Sequence, residues 1–119
     1  MSSSERVYTA ELLAKVVPGL PAWRADGGAI VREFATDGWS TTIMLVNAIA
    51  YYAEAADHHP DLEVSWARVR VTLSTHSAGG VTDKDLALAR QIEETALWRP
   101  AAGSPLRGTT RAWIRNPES

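Results

Sequence analysis

The chain has 119 residues, 45% of them apolar, with 12 Lys and Arg against 14 Asp and Glu and no cysteine. That length fits one domain with its own buried core, and a net charge of −2 creates no field that would gather nucleic acid. The lack of cysteine removes disulfides, thiol nucleophiles and thiolate metal sites.

The opening "MSSSERVYTAELL" shows three serines but no basic segment followed by an apolar run, so no secretory leader is expected. The longest apolar stretch, "IMLVNAIAYYA", is well short of the ~20 residues a spanning helix needs. A soluble, cytoplasmic protein is the expectation.

In chain order, "TAELLAKVV" at 9–17 predicts a first helix with Thr9 as N-cap and Leu12, Leu13, Val16 and Val17 at helical spacing, stopped by "PGLP". Gly27 and Gly28 separate two short extended pieces, and in "AIVREFAT" Ile30, Arg32 and Phe34 alternate with Val31 and Glu33, which predicts a hairpin. Trp39 to Ala56 holds neither Pro nor Gly and predicts a long helix, with Ile43, Val46, Asn47, Ala50 and Ala53 on its inner face and Ile49 and Tyr52 beside them.

In "EVSWARVRVTLST", Val69, Val71 and Leu73 alternate with Arg68, Arg70 and Thr72, while Val64 and Trp66 lie in the opposite phase. The break implies a bulge or a turn. "SAGG" is a loop, and "TDKDLALARQIEETALW" predicts a third helix with Leu86, Ala89, Ile92 and Ala96 inward. This order is α+β. One domain is expected over residues 1–98, followed by an irregular tail over 99–119 that wraps the surface or moves.

The three histidines sit at the ends of regular elements, His58 and His59 after the long helix and His76 after the best strand. Pro60 pushes His59 towards extended geometry, and neighbouring extended residues point in different directions. The two imidazoles are therefore expected to do different work, although a polar helix exit without chemistry would look the same. "TDKD" at 82–85 fits a capping box between Thr82 and Asp85, and a carboxylate in that first turn is also placed to orient a histidine. Zinc is a weaker reading, because His58 and His59 lack the spacing that turns two helical imidazoles towards one ion. The aromatics Trp23, Trp39, Trp66, Tyr51 and Tyr52 fit core or interface positions, and any of them could also wall a flat heterocycle.

Taken together, Glu54, "HHP" at 58–60, Trp66, His76 and Asp85 form a spaced pattern that resembles the pterin-4a-carbinolamine dehydratases. "DHHP" and "LSTH" resemble the family's two pterin-contacting segments, and "TDKDLALARQIE" its last helix. The likeness runs from about Trp23 to Ala96. It implies a four-stranded antiparallel sheet with three helices packed on one face, assembled as homodimers or homotetramers.

The implied reaction is dehydration of 4a-hydroxytetrahydropterin to quinonoid dihydropterin, which recycles the cofactor of an aromatic amino acid hydroxylase. Residue by residue, the resemblance gives His58 and His76 acid–base work and His59 a binding role. Asp85 would support a histidine, and Asp57, Pro60, Ser74 and Thr75 would hold the pterin together with His59 and His76. The pterin is the substrate, and neither a cofactor nor a metal is implied. Imidazole, with an ordinary pKa of about 6.5, suits both proton transfers.

Two rival readings accompany this one. The first is a non-catalytic binding protein on the same fold, such as the family's transcription-factor dimerisation cofactors or Rubisco assembly factors. The second is an interaction module using exposed Trp98 and Trp113 of the tail.

Overall fold

The computed structural model describes residues 6–117. The expectations for the opening serines and the last two residues lie outside the described part.

The first helix, α1 (Ala10–Val16), is capped by Thr9, whose hydroxyl accepts from the Leu12 amide, and a 3-10 turn at Val17–Gly19 ends it at Pro18. Strands β1 (Arg24–Asp26) and β2 (Ala29–Thr36) form the expected hairpin, with Asp26 opposite Ala29. Gly27 has φ +60°, which two-residue hairpin turns require and glycine adopts without strain.

Helix α2 (Trp39–Ala56) has the predicted bounds. Strands β3 (Asp61–Ser65) and β4 (Arg68–Leu73) pair through a two-residue turn at Trp66 and Ala67, with Ser65 opposite Arg68 and Val64 opposite Val69. The phase break is thus a turn. Reversing the chain brings Val64 and Val69 to one face despite their opposite parity. Helix α3 (Asp83–Ala96) follows the glycine loop and buries the expected Leu86, Ala89, Ile92 and Ala96.

The strands make one antiparallel sheet ordered β1-β2-β4-β3. Ile30, Phe34, Val69, Val71 and Leu73 line its inner face and join one core with Leu45, Ile49, Leu86 and Ile92 of the helices. On the opposite face Arg70 lies 3.4 to 3.6 Å from Asp26, Glu33 and Glu63. Among the described residues, no helix is long and apolar enough to cross a membrane.

Three expectations need correction. The buried stripe of α2 is Thr41, Thr42, Leu45, Ile49 and Ala53, while Asn47 and Ala50 are exposed. The helix carries apolar residues on several faces, so period alone could not choose among them. Its orientation is set instead by polar contacts at its start, where the Thr42 hydroxyl meets the Trp66 carbonyl at 2.9 Å and the Thr36 hydroxyl at 2.7 Å.

The tail also carries structure. A short strand β5 (Ile114–Arg115) pairs with Ala35 and Thr36 of β2, on the edge that β1 occupies further along. Arg111 reinforces it with a 2.7 Å ion pair to Asp37. Finally, Trp113 is only half-exposed and has the guanidiniums of Arg99 and Arg111 at 5.8 and 5.7 Å from its ring centre, whereas Trp98 is exposed as expected.

Arg32 turns its guanidinium into the core face. It is 1% exposed, stacks over Phe34 at 4.0 Å, and grips Glu93 through Nε at 3.0 Å and Nη2 at 2.8 Å. Trp23 donates its indole N–H to the same carboxylate at 2.7 Å. This arrangement ties β2 to α3 with the charge paired and hydrogen-bonded, as burial demands.

Candidate active site

Helix α2 ends at Asp57, which adopts a left-handed conformation (φ 51°, ψ 44°). Aspartate tolerates that region better than most residues, because its short side chain can bond locally. The amide of His58 still reaches the Ala53 carbonyl at 3.1 Å, so the reversal is tight. It separates the two imidazoles. His58 turns inward and its Nε2 meets Asp85 Oδ1 at 2.6 Å, whereas His59 turns outward and its Nε2 meets Glu54 Oε1 at 2.6 Å. Their side chains are 12% and 55% exposed respectively.

Asp85 is 0% exposed and lies in the first turn of α3. Its Oδ2 accepts from the Thr82 amide at 2.8 Å and from the Thr75 hydroxyl at 2.7 Å, while Oδ1 faces His58. The Thr82 hydroxyl returns the contact by accepting from the Asp85 backbone amide, which completes the capping box, and it also accepts from the Lys84 amide. Capping and histidine support are thus performed by one carboxylate. Three hydrogen-bonding partners and the helix N-terminus compensate its complete burial.

Thr75 belongs to the segment that leaves β4. Its hydroxyl also contacts the Thr82 hydroxyl at 2.8 Å, and its amide bonds to the Gly80 carbonyl at 2.8 Å, closing a loop over residues 76–79. His76 is exposed in that loop. Ser74 anchors the strand end by donating to the Gly28 carbonyl at 2.7 Å.

Beside His58, a cavity of about 410 Å³ opens between α2 and α3, lined by Tyr52, Ala56, Lys84, Leu88 and Gln91 among others. Its walls are largely apolar with a few polar ends, the usual composition of a small-molecule site. No cluster of three or more His, Asp or Glu that would hold a metal occurs among the described residues.

Sequence comparison matches residues 6–95 to the family described as pterin 4 alpha carbinolamine dehydratase. The chain belongs to this family. Among relatives bearing that dehydratase name, one from Aquifex aeolicus is 47% identical over 89 residues, covering 75% of this chain and 90% of its own. Another, from Nocardia farcinica, is 45% identical over 86 residues, covering 72% and 90%.

A crystal structure from Brucella melitensis, titled a transcriptional coactivator/pterin dehydratase, superposes with a TM-score of 0.70 at 37% identity, covering 74% of this chain and 96% of its own. A pterin dehydratase-like protein described as a RuBisCO assembly factor in the alpha-carboxysome shares the fold, with a TM-score of 0.54 at 18% identity, covering 63% of this chain and 87% of its own. The α+β architecture with its helices on an antiparallel sheet is therefore that of the family.

Among the residues singled out from sequence, His58, Asp85 and Thr75 form one bonded network, and His76 follows Thr75 directly. His59 forms a separate pair with Glu54. Asp57, Pro60 and Ser74 flank these groups along the chain. Tyr52, one of the aromatics singled out from sequence, lines the cavity, whereas sequence reading missed the Lys84 and Leu88 walls, because a residue lining a groove between two helices has no spacing signal of its own.

Proposed function

We propose that the chain catalyses the dehydration of 4a-hydroxytetrahydropterin, a hydro-lyase reaction that returns pterin cofactor to an aromatic amino acid hydroxylase. The observation that carries this reading is the His58–Asp85 pair, an imidazole on a wholly buried carboxylate at the mouth of an apolar cavity.

In the reaction the C4a–O bond breaks as the leaving hydroxyl takes a proton and departs as water. The N5–H proton is lost, and its electron pair becomes the C4a=N5 double bond. Asp85 engages Nε2 of His58 and so presents Nδ1 as the nitrogen that exchanges a proton with substrate. His76, exposed in its loop, supplies the second proton-transfer group, while His59, backed by Glu54, binds and orients the ring.

Asp57, Pro60 and Ser74 complete the binding surface with the backbone around Thr75, whose hydroxyl serves Asp85. No resident cofactor or metal enters the proposal. Assembly as a homodimer or homotetramer and a cytoplasmic location belong to it, the former supported by the exposure of Met44 and Tyr51 on α2.

The test compares wild type with His76→Ala on enzymatically generated 4a-hydroxytetrahydropterin against the spontaneous reaction. Acceleration by wild type that the variant largely loses supports the proposal. Background rates from folded wild type would turn the site into a binding surface.

A further inference from the structure

The loop that carries His76 is braced from outside by the chain's own N-terminal arm. Tyr8 donates its backbone N–H to the Val81 carbonyl at 2.8 Å, and its phenol donates to Asp83 Oδ1 at 2.5 Å. These contacts grip both sides of Thr82, the residue that caps α3 and binds Asp85.

One residue earlier in the arm, Val7 presses on Gly80 so closely that a Cβ there would meet Val7 Cγ1 at 2.7 Å. Real Cβ atoms do not approach that near, so any larger residue at position 80 would force Val7 to shift. Gly80 is in turn the residue whose carbonyl bonds to the Thr75 amide. The contacts of Val7 and Tyr8 thus land on the closure of the loop and on the cap next to it, while Thr9 starts α1.

We propose that the arm over residues 6–9 positions the active site, with Tyr8 and Val7 as positioning residues that hold His76 through the Thr75–Gly80 closure and His58 through Thr82 and Asp85. The inference deepens the dehydratase reading and rests on it for its kinetic part. A displacement of about 1 Å at a reacting group can cost as much as ~10² in rate, so bracing the loop over residues 76–79 has a measurable consequence. Without the arm, the loop would be held at its ends by the sheet and the cap but left open on its outer side.

The experiment compares four full-length proteins: wild type, Tyr8→Phe, Gly80→Ala, and Gly80→Ala with Val7→Ala. Each is followed by the imidazole NMR signals of His58 and His76, by amide exchange in residues 75–82, and by kcat and KM. Tyr8→Phe removes only a hydroxyl. It is expected to shift the His76 signal, raise loop exchange by about tenfold, and lower kcat severalfold with KM little changed. Gly80→Ala is expected to do the same, and Val7→Ala in the same chain to restore the signals and the rate by making room for the new methyl.

The inference is overturned if folded Tyr8→Phe keeps wild-type signals and exchange, or if Val7→Ala fails to rescue Gly80→Ala. Absence of turnover in wild type would refute the dehydratase reading alone, because the NMR and exchange measurements need no substrate.

Discussion

Two carboxylates of α3, the partly buried Glu93 and the fully buried Asp85, are satisfied in similar ways but to different ends. Glu93 receives the guanidinium of Arg32 and the indole of Trp23, and its network closes within the protein as a tie between sheet and helix. Asp85 receives a threonine hydroxyl and a backbone amide, and its third partner is an imidazole at the edge of a cavity. The difference lies in the last partner. A guanidinium keeps its proton at any working pH, whereas an imidazole can release one and still be held.

If that distinction is right, the two networks respond differently to substitution. The largest expected effect is on chemistry: His58→Gln lowers kcat by about 10² or more, within the range of lost acid–base catalysis, and leaves the melting temperature nearly unchanged. Steady-state kinetics beside a thermal melt would show this. Replacing Glu93 with Gln should have the reverse profile, costing about 3–5 kcal/mol of stability by stranding buried Arg32 while leaving kcat per folded molecule intact. Denaturant titration with parallel assays separates the two outcomes.

Asp85→Asn stands between them. Losing the cap costs about 0.5–2 kcal/mol, and the imidazole loses its charged partner, so turnover should fall by about tenfold or more. A stability loss of that size with unchanged turnover would leave Asp85 only a cap.

The smallest effect concerns the tail. The Thr41 hydroxyl and then Arg111 hold the Asp37 carboxyl below its ordinary range. A depressed carboxyl contributes stability above its unfolded pKa and loses it as pH falls through the folded value. Deleting residues 99–119 removes Arg111 and β5, so truncated and full-length chains should differ modestly near neutrality. Their difference should narrow below about pH 4 as Asp37 protonates. Melting both proteins across that range checks the sign. The phenol of Tyr8 gives the opposite limb, since its bond to Asp83 raises its pKa and any stability it adds fades only as pH climbs above about 10.

How much of this was readable in the sequence follows from what each feature depends on. The α3 cap and its inward stripe are local, set by residues three or four apart, and "TDKD" shows them directly. The histidine and aspartate pattern from Glu54 to Asp85 spans much more of the chain, but its spacing is read along the sequence and needs no knowledge of packing. That Thr75 would bind Asp85 depends on how β4 meets α3, which no spacing encodes. Nor does any local pattern reveal that Arg32 turns inward to Glu93, or that Ile114 and Arg115 return to the edge of β2. The inner face of α2 was misread because two threonines, polar by composition, sit on its buried side.

The most direct test of the account is the rate of 4a-hydroxytetrahydropterin dehydration by wild type, His58→Gln and His59→Gln, each set against the uncatalysed rate. The account expects His58→Gln to lose most of the acceleration through kcat, and His59→Gln to act mainly through KM. Equal losses in both variants through KM, with kcat preserved, would contradict the assignment of proton transfer to the histidine that Asp85 holds.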